Sequence, residues 1–153
     1  MKHVLVTTDF SELGDQAIAP AADLARRLGA QLTIAHVVTA EKPPAPDANA
    51  PYFKVAQRLW QADQELEAGV KASLEERAAQ CGGEVQVGVA RGGAIDGILE
   101  LVRERGIDLI VMSSQGRSGL SRILLGSVAE ELSRRSPVPV LIWKNPAVQP
   151  PQA

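Results

Sequence analysis

Ile107-Asp108-Leu109-Ile110-Val111-Met112-Ser113-Ser114-Gln115-Gly116-Arg117-Ser118-Gly119 passes from an apolar, β-branched run straight into small residues, and Gly126-Ser127-Val128-Ala129-Glu130 then opens an amphipathic helical pattern. The first part, Ile107 to Met112, reads as a buried strand. Small residues between a strand end and a helix start let backbone N–H groups come close to an anion, and the first turn of the helix adds its positive dipole end. That is the physics of a phosphate site. Ser127 with Glu130 three residues on fits a capping box, which predicts that Ser127 opens the helix.

Outward from this stretch, strand and helix patterns alternate. His3 to Thr8 is a short apolar strand, followed by helical spacing at Ala17/Ile18, Ala21, Leu24/Ala25 and Leu28 that Gly29 closes. Pro20 lies inside that helix and is expected to remove a hydrogen bond or bend it. Leu32 to Val38 is a second strand. Glu41 to Pro51, rich in proline, is a surface loop. A long helix is expected from Phe53 to Gln80, with Val55, Leu59, Leu66, Val70, Leu74 and Ala78 along one stripe. Val85, Val87 and Val89 alternate as a third strand, and Ile95, Ile98, Leu99 and Val102 mark a helix ending near Gly106. Ser127 to Arg135 is the last helix, Val138 to Trp143 the last strand, and 145–153 a flexible C-terminal tail. Strands separated by crossover helices run parallel, and right-handed crossovers put helices on both faces. The expectation is an α/β fold: a single doubly wound domain over residues 1–144 with a five-stranded parallel sheet.

These segments resemble the universal stress protein family over nearly the whole chain. Gly116, nine intervening residues and Gly126-Ser127 match the second half of G-x2-G-x9-G-[S/T], the pattern of the family's ATP-binding branch. Val4-Leu5-Val6-Thr7-Thr8-Asp9, Ala35-His36-Val37-Val38 and Pro137-Val138-Pro139-Val140-Leu141-Ile142 carry the rest. Ser113 stands where the first motif glycine belongs. The resemblance implies strand order 3-2-1-4-5, which reverses between the first and fourth strands, where open α/β sheets bind ligands at their carboxyl ends. It also implies an ATP site, with or without Mg²⁺, formed by Thr7, Thr8, Asp9, Val37, Met112, Ser113, Gly116, Arg117, Ser118, Gly119, Gly126, Ser127 and Val128. A homodimer through the last strand, Val138 to Trp143, is implied too. That strand is apolar on both sides, as an edge open to another chain would be, although Pro137 and Pro139 remove donors.

Each residue also has an ordinary role. Asp9 equally suits the turn before Ser11, itself a plausible helix cap. Val37 offers backbone to adenine or is plain core, and Gly119 permits a turn. Arg117 and Arg122 meet phosphate or simply solvate a loop. Ser127 can cap and still donate its proton to a phosphate oxygen. If the Ser113 position needs φ > 0, serine costs on the order of 1–2 kcal/mol; if glycine serves only close approach, the side chain crowds the ligand or replaces a water.

Composition narrows the classes. The 153 residues suit one domain, able to bury about two thirds of its unfolded surface. A net charge of -2 provides no basic field for nucleic acid, and 3% aromatics provides no base-stacking platform. The lone Cys81 forms no internal disulfide and fits a reduced cytoplasm. No apolar run reaches membrane-spanning length, and the N-terminus enters a strand without a signal-like segment. Walker A needs a lysine that Ser113 to Ser127 lacks, Gly116-Arg117-Ser118-Gly119 is one residue short of a nucleophile elbow, and no Cys/His cluster has metal spacing. His3, His36 and Asp108 read as strand residues and a strand-start charge. The expected function is a regulatory ATP-binding protein with at most slow hydrolysis and an unidentified partner protein. The alternative is a nucleotide-free interaction protein of the same fold. An enzyme of adenylate chemistry has no identifiable catalytic residue.

Overall fold

Alternation of buried side chains explains the sheet. In the computed structural model, which describes residues 1–115 and 125–144, Val4 and Val6 face one side of the first strand and Leu5 the other, and none of the three is exposed. The strands are β1 (His3–Thr7), β2 (Gln31–Val38), β3 (Val85–Arg91), β4 (Leu109–Ser113) and β5 (Val140–Trp143). All pair parallel, in the order β3-β2-β1-β4-β5. The helices are α1 (Glu12–Asp15), α2 (Ile18–Leu28), α3 (Phe53–Cys81), α4 (Ala94–Arg105) and α5 (Ser127–Arg135). On one face Val4, Val6, Ile34 and Val111 pack with Ala21, Ala25, Val70 and Leu74 of α2 and α3. On the other, Leu5, Ala35, Ile110 and Met112 pack with Ile98, Val102, Ala129 and Leu132 of α4 and α5. The doubly wound, five-stranded parallel architecture is as expected. Because β1 pairs with β2 on one side and β4 on the other, the chain winds outward both ways from β1.

Local chemistry sets most boundaries. Gly29 takes φ 61°, and its N–H donates to Arg26 O, which ends α2 at little steric cost. Pro20 does not bend α2. The helix instead breaks upstream, between α1 and α2, so that Pro20 falls in a first turn that has no hydrogen bond to lose. β4 begins two residues later than the apolar run, since Ile107 is buried but lies outside the strand. β5 begins at Val140 rather than Val138: the chain reaches it through Pro139, which has no N–H and contributes only its carbonyl, accepting from Ile110 N.

α3 departs most from expectation. Val70, Leu74 and Ala78 are buried as the stripe requires, but Val55 and Leu59 are 57% exposed. The inward face of the first half is Phe53, Ala56, Trp60 and Asp63, displaced from the apolar stripe by one residue. Asp63 is turned inward because Arg91 at the end of β3 donates to both of its oxygens, at 2.9 and 3.0 Å.

Candidate functional site

The carboxyl end of β1 is built around Thr8. Its N–H continues the ladder to Ala35 O at 3.0 Å, its hydroxyl donates to Asp15 Oδ1 at 2.5 Å, and it accepts from Phe10 N at 2.9 Å. Its carbonyl accepts from His36 Nδ1 at 2.8 Å. Arg77, far along α3, grips Asp15 by donating from Nε to Oδ1 at 2.9 Å and from Nη2 to Oδ2 at 2.7 Å, a bidentate pair. That hydrogen bond raises the already high Arg77 pKa, outweighing its desolvation. The guanidinium also lies 4.8 Å from the centre of the Phe10 ring, whose other neighbour is His36 at 4.4 Å. Phe10 takes φ 64°, a left-handed conformation costly for a bulky residue, and these bonds and stacks hold it there.

Asp9 fills its ordinary role. Its Oδ1 accepts from Ser11 N at 3.0 Å and from the Ser11 hydroxyl, while Ser11 Oγ caps α1 by accepting from Gly14 N at 3.0 Å. A Cβ on Gly14 would overlap Asp9 Oδ1. Gly14 therefore leaves room for the Asp9 carboxylate.

At the reversal, β4 brings up the opposite wall. In parallel register Val6 pairs with both Ile34 and Val111, so Thr8, His36 and Ser113 stand level across three strands. Met112 is buried against α4 and α5. Ser113 is the last strand residue, and among the described non-glycine residues only Phe10 has positive φ. The backbone at Ser113 thus asks nothing of glycine; its hydroxyl accepts from Gln115 N at 3.4 Å. Gly116, Arg117, Ser118 and Gly119 lie outside the described residues, as do Arg122 and the tail 145–153.

The chain returns at Gly126, whose N–H donates to Ser114 O at 2.9 Å. The helix starts at Ser127 as expected, but its cap is a different residue. Gly126 is the N-cap of α5, with φ -58° and ψ 148°, and Ser127 is the first helical residue. The expected Ser127–Glu130 capping box is not formed; Glu130 N closes the first turn on Gly126 O instead. A Cβ on Gly126 would lie 3.2 Å from Ser114 O, so glycine here serves close approach. The first-turn N–H groups of α5 therefore receive no side-chain cap from the N-cap residue itself. Ser127→Ala should change folding stability by no more than about 0.5 kcal/mol in urea unfolding. A loss of about 1 kcal/mol would restore the capping role.

Ser127 and Val128 also line a cavity of about 340 Å³ between the start of α4 and the length of α5, together with Gly93, Ile95, Asp96 and Arg135. Arg135 Nη2 donates to Asp96 Oδ1 across it at 2.8 Å. Val37, half-buried near the end of β2, packs against α4, and Gly97 makes that possible: a Cβ there would lie 2.7 Å from Val37 Cγ1. Thr7, Thr8, Asp9, Val37, Met112, Ser113, Gly126, Ser127 and Val128 are thus gathered at the carboxyl edge, around the reversal. Sequence reasoning missed Phe10, Gly14, Asp15, Arg77 and Gly97. The two glycines did carry a signal, because glycine inside a helix costs about 1 kcal/mol against alanine and usually marks close packing. Nothing local marked Arg77.

The remaining titratable candidates are structural. His3 bonds Thr33 Oγ1 at 2.8 Å and Arg105 O at 3.1 Å. Asp108 accepts from Lys2 N and His3 N at 2.7 and 3.0 Å, which lowers its pKa and ties β1 to the start of β4. Cys81 donates to Arg77 O, and burial raises its pKa, the reverse of an activated thiol. Among the described residues no helix is long and apolar enough to cross a membrane, and no group of three metal-binding side chains occurs.

Comparison with known proteins agrees with this arrangement. Universal stress protein MJ0531 of Methanocaldococcus jannaschii is 30% identical over 145 residues, 95% of this chain and 83% of that protein. The solved structure of MJ0577, from the same organism, is 25% identical with a TM-score of 0.75, covering 94% of this chain and 96% of that one. A universal stress protein solved in complex with cAMP is 26% identical with a TM-score of 0.61, over 94% and 96% of the two chains. The family model for the Universal stress protein family matches residues 1–144. With the strand order, the reversal at β1 and β4 and the glycine start of α5 all in place, the chain belongs to the universal stress protein family.

Proposed function

We propose that this protein is a regulatory adenine-nucleotide-binding protein that takes ATP, with or without Mg²⁺, across the carboxyl ends of β1 and β4. The observation that carries this reading is the start of α5, where Gly126 is drawn against Ser114 O and, as a glycine N-cap, brings no side chain to the first-turn donors at the sheet reversal. Phosphates would sit against Gly126 and Ser127 and the glycine at 116, with the nucleoside end near Asp9 and Val37. The cAMP complex of a 26% identical relative supports a nucleotide in this fold. Hydrolysis is expected to be slow at most, because His3 and His36 are both engaged in structural hydrogen bonds. The proposed setting is the cytoplasm. The proposed assembly is a homodimer through the edge strand β5, where Leu141 is 37% exposed; a monomer mass by light scattering at micromolar concentration would count against it.

Titration calorimetry with Mg-ATP tests the reading: saturable heat is expected, and no heat with no thermal shift at millimolar nucleotide would sink it in favour of a nucleotide-free interaction protein. Ser113→Gly should leave affinity unchanged to within about threefold, since the serine already occupies ordinary strand backbone. A much tighter variant would mean that the hydroxymethyl group crowds the ligand.

A further inference from the structure

The outer face of α3 repeats apolar or small residues at strict 3-4-3-4-3 spacing: Tyr52, Val55, Leu59, Ala62, Leu66 and Gly69. All six are exposed; Tyr52, just before the helix, is 70% exposed and Leu66 45%. This is an a/d seam of about two and a half heptads, roughly 26 Å long, exposed and without a partner among the described residues. Further along the same face the position is taken. Arg77 is bonded to Asp15 of α1, and Gln80 meets Ala19 and Ala22 of α2 across a cavity. The seam ends where α1 and α2 begin, so the free length is open to one more helix.

We propose that this helix is α3 of a second copy, packed antiparallel. Aligned that way, every layer sets a large residue against a smaller one: Leu59 on the partner's Ala62, Leu66 on the partner's Val55, and Tyr52 on the partner's Gly69. Arg58 and Glu65, both exposed, flank the seam at the positions that face their own counterparts in an antiparallel pair. Arg58 therefore meets the partner's Glu65, and Glu65 the partner's Arg58. A parallel pairing would instead point Arg58 and Glu65 at the partner's Asp63 and the partner's Val70, both buried within their own chain, and leave the two charges unmatched. The other flank is closed, since Asp63 is held inward by Arg91. Self-complementarity in both size and charge is what a two-fold interface requires of one surface. The interface is distinct from the β5 edge, because α3 packs over β3 and β2 at the opposite side of the sheet.

Sedimentation equilibrium from micromolar to hundreds of micromolar tests the pairing, in the natural chain and in a Leu141→Lys background that charges the β5 edge. Leu59→Glu, at an exposed position, should abolish one association step in both backgrounds with unchanged circular dichroism. Arg58→Glu and Glu65→Arg should each weaken that step by about tenfold, and the double reversal should restore it to within about threefold. An association that Leu59→Glu leaves untouched, or a double reversal as weak as its parents, overturns the proposal. A natural chain that stays monomeric over the whole range overturns it as well.

Discussion

Gly126→Asp should lower ATP affinity by at least about a hundredfold while the protein still folds. The two halves of this expectation have separate causes. A Cβ at this position lies 3.2 Å from Ser114 O, so the turn must give by a few tenths of an ångström, a small displacement. Aspartate is also among the favoured N-cap residues, and Gly126 is the N-cap of α5, so the helix itself should tolerate the change. The carboxylate, however, would take up the first-turn donors that the proposed phosphates need, and would add like charge beside them. Gly126→Ala separates the effects by adding the carbon without the charge; a loss of no more than about tenfold is expected. Calorimetry gives the affinities and urea unfolding the stability. If the aspartate variant binds ATP within about threefold of the natural protein, the phosphates do not lie at α5.

The second large effect is expected at Gly97. A Cβ there would lie 2.7 and 3.1 Å from the two γ carbons of Val37 and 3.4 Å from Ala90 Cβ. Valine is stiff about χ1 and β2 is held by neighbours on both sides, so neither can simply move aside. Overpacking of this kind costs about 1–3 kcal/mol, offset by about 1 kcal/mol because alanine is the better helix former. Gly97→Ala should therefore be net destabilising, and by displacing Val37 it should also weaken nucleotide binding. In a Val37→Ala background the space reopens and only the helix-forming gain remains, so the same change should become neutral or stabilising. Equal effects in both backgrounds, measured by urea unfolding, would mean that α4 shifts as a body and that Gly97 does not set the position of Val37.

Much of the fold was legible because its signals are local. β1 and β4 are continuous apolar runs, as parallel strands buried on both faces must be. Gly29 and Gly106 end α2 and α4 because a left-handed residue is needed there, and that need is written into the residue type. Alternation of strands and helices then leaves a parallel sheet with two covered faces, and the small residues after β4 mark the reversal.

The misreadings arose where a local pattern met a long-range constraint. Ser127 and Glu130 have capping-box spacing, but a hydrogen bond from Gly126 to Ser114, made across the reversal, accompanies an N-cap at Gly126, with the helix still starting at Ser127. The stripe at Val55, Leu59 and Leu66 has core periodicity, but only the packing of α3 on β3 and β2, with Arg91 drawing Asp63 inward, decides which face of the helix is core. Periodicity reports that a face is apolar and not what covers it. The bond between Asp15 and Arg77 joins residues 62 positions apart, with no motif to announce it. The sequence by itself determined the α/β class, the parallel sheet and the end of β4 at small residues, because hydrophobic period and backbone preference act within a few residues. The tertiary structure alone decided the cap of α5, the clamp on the β1 turn and the uncovered face of α3, because each depends on groups brought together only when the sheet has closed.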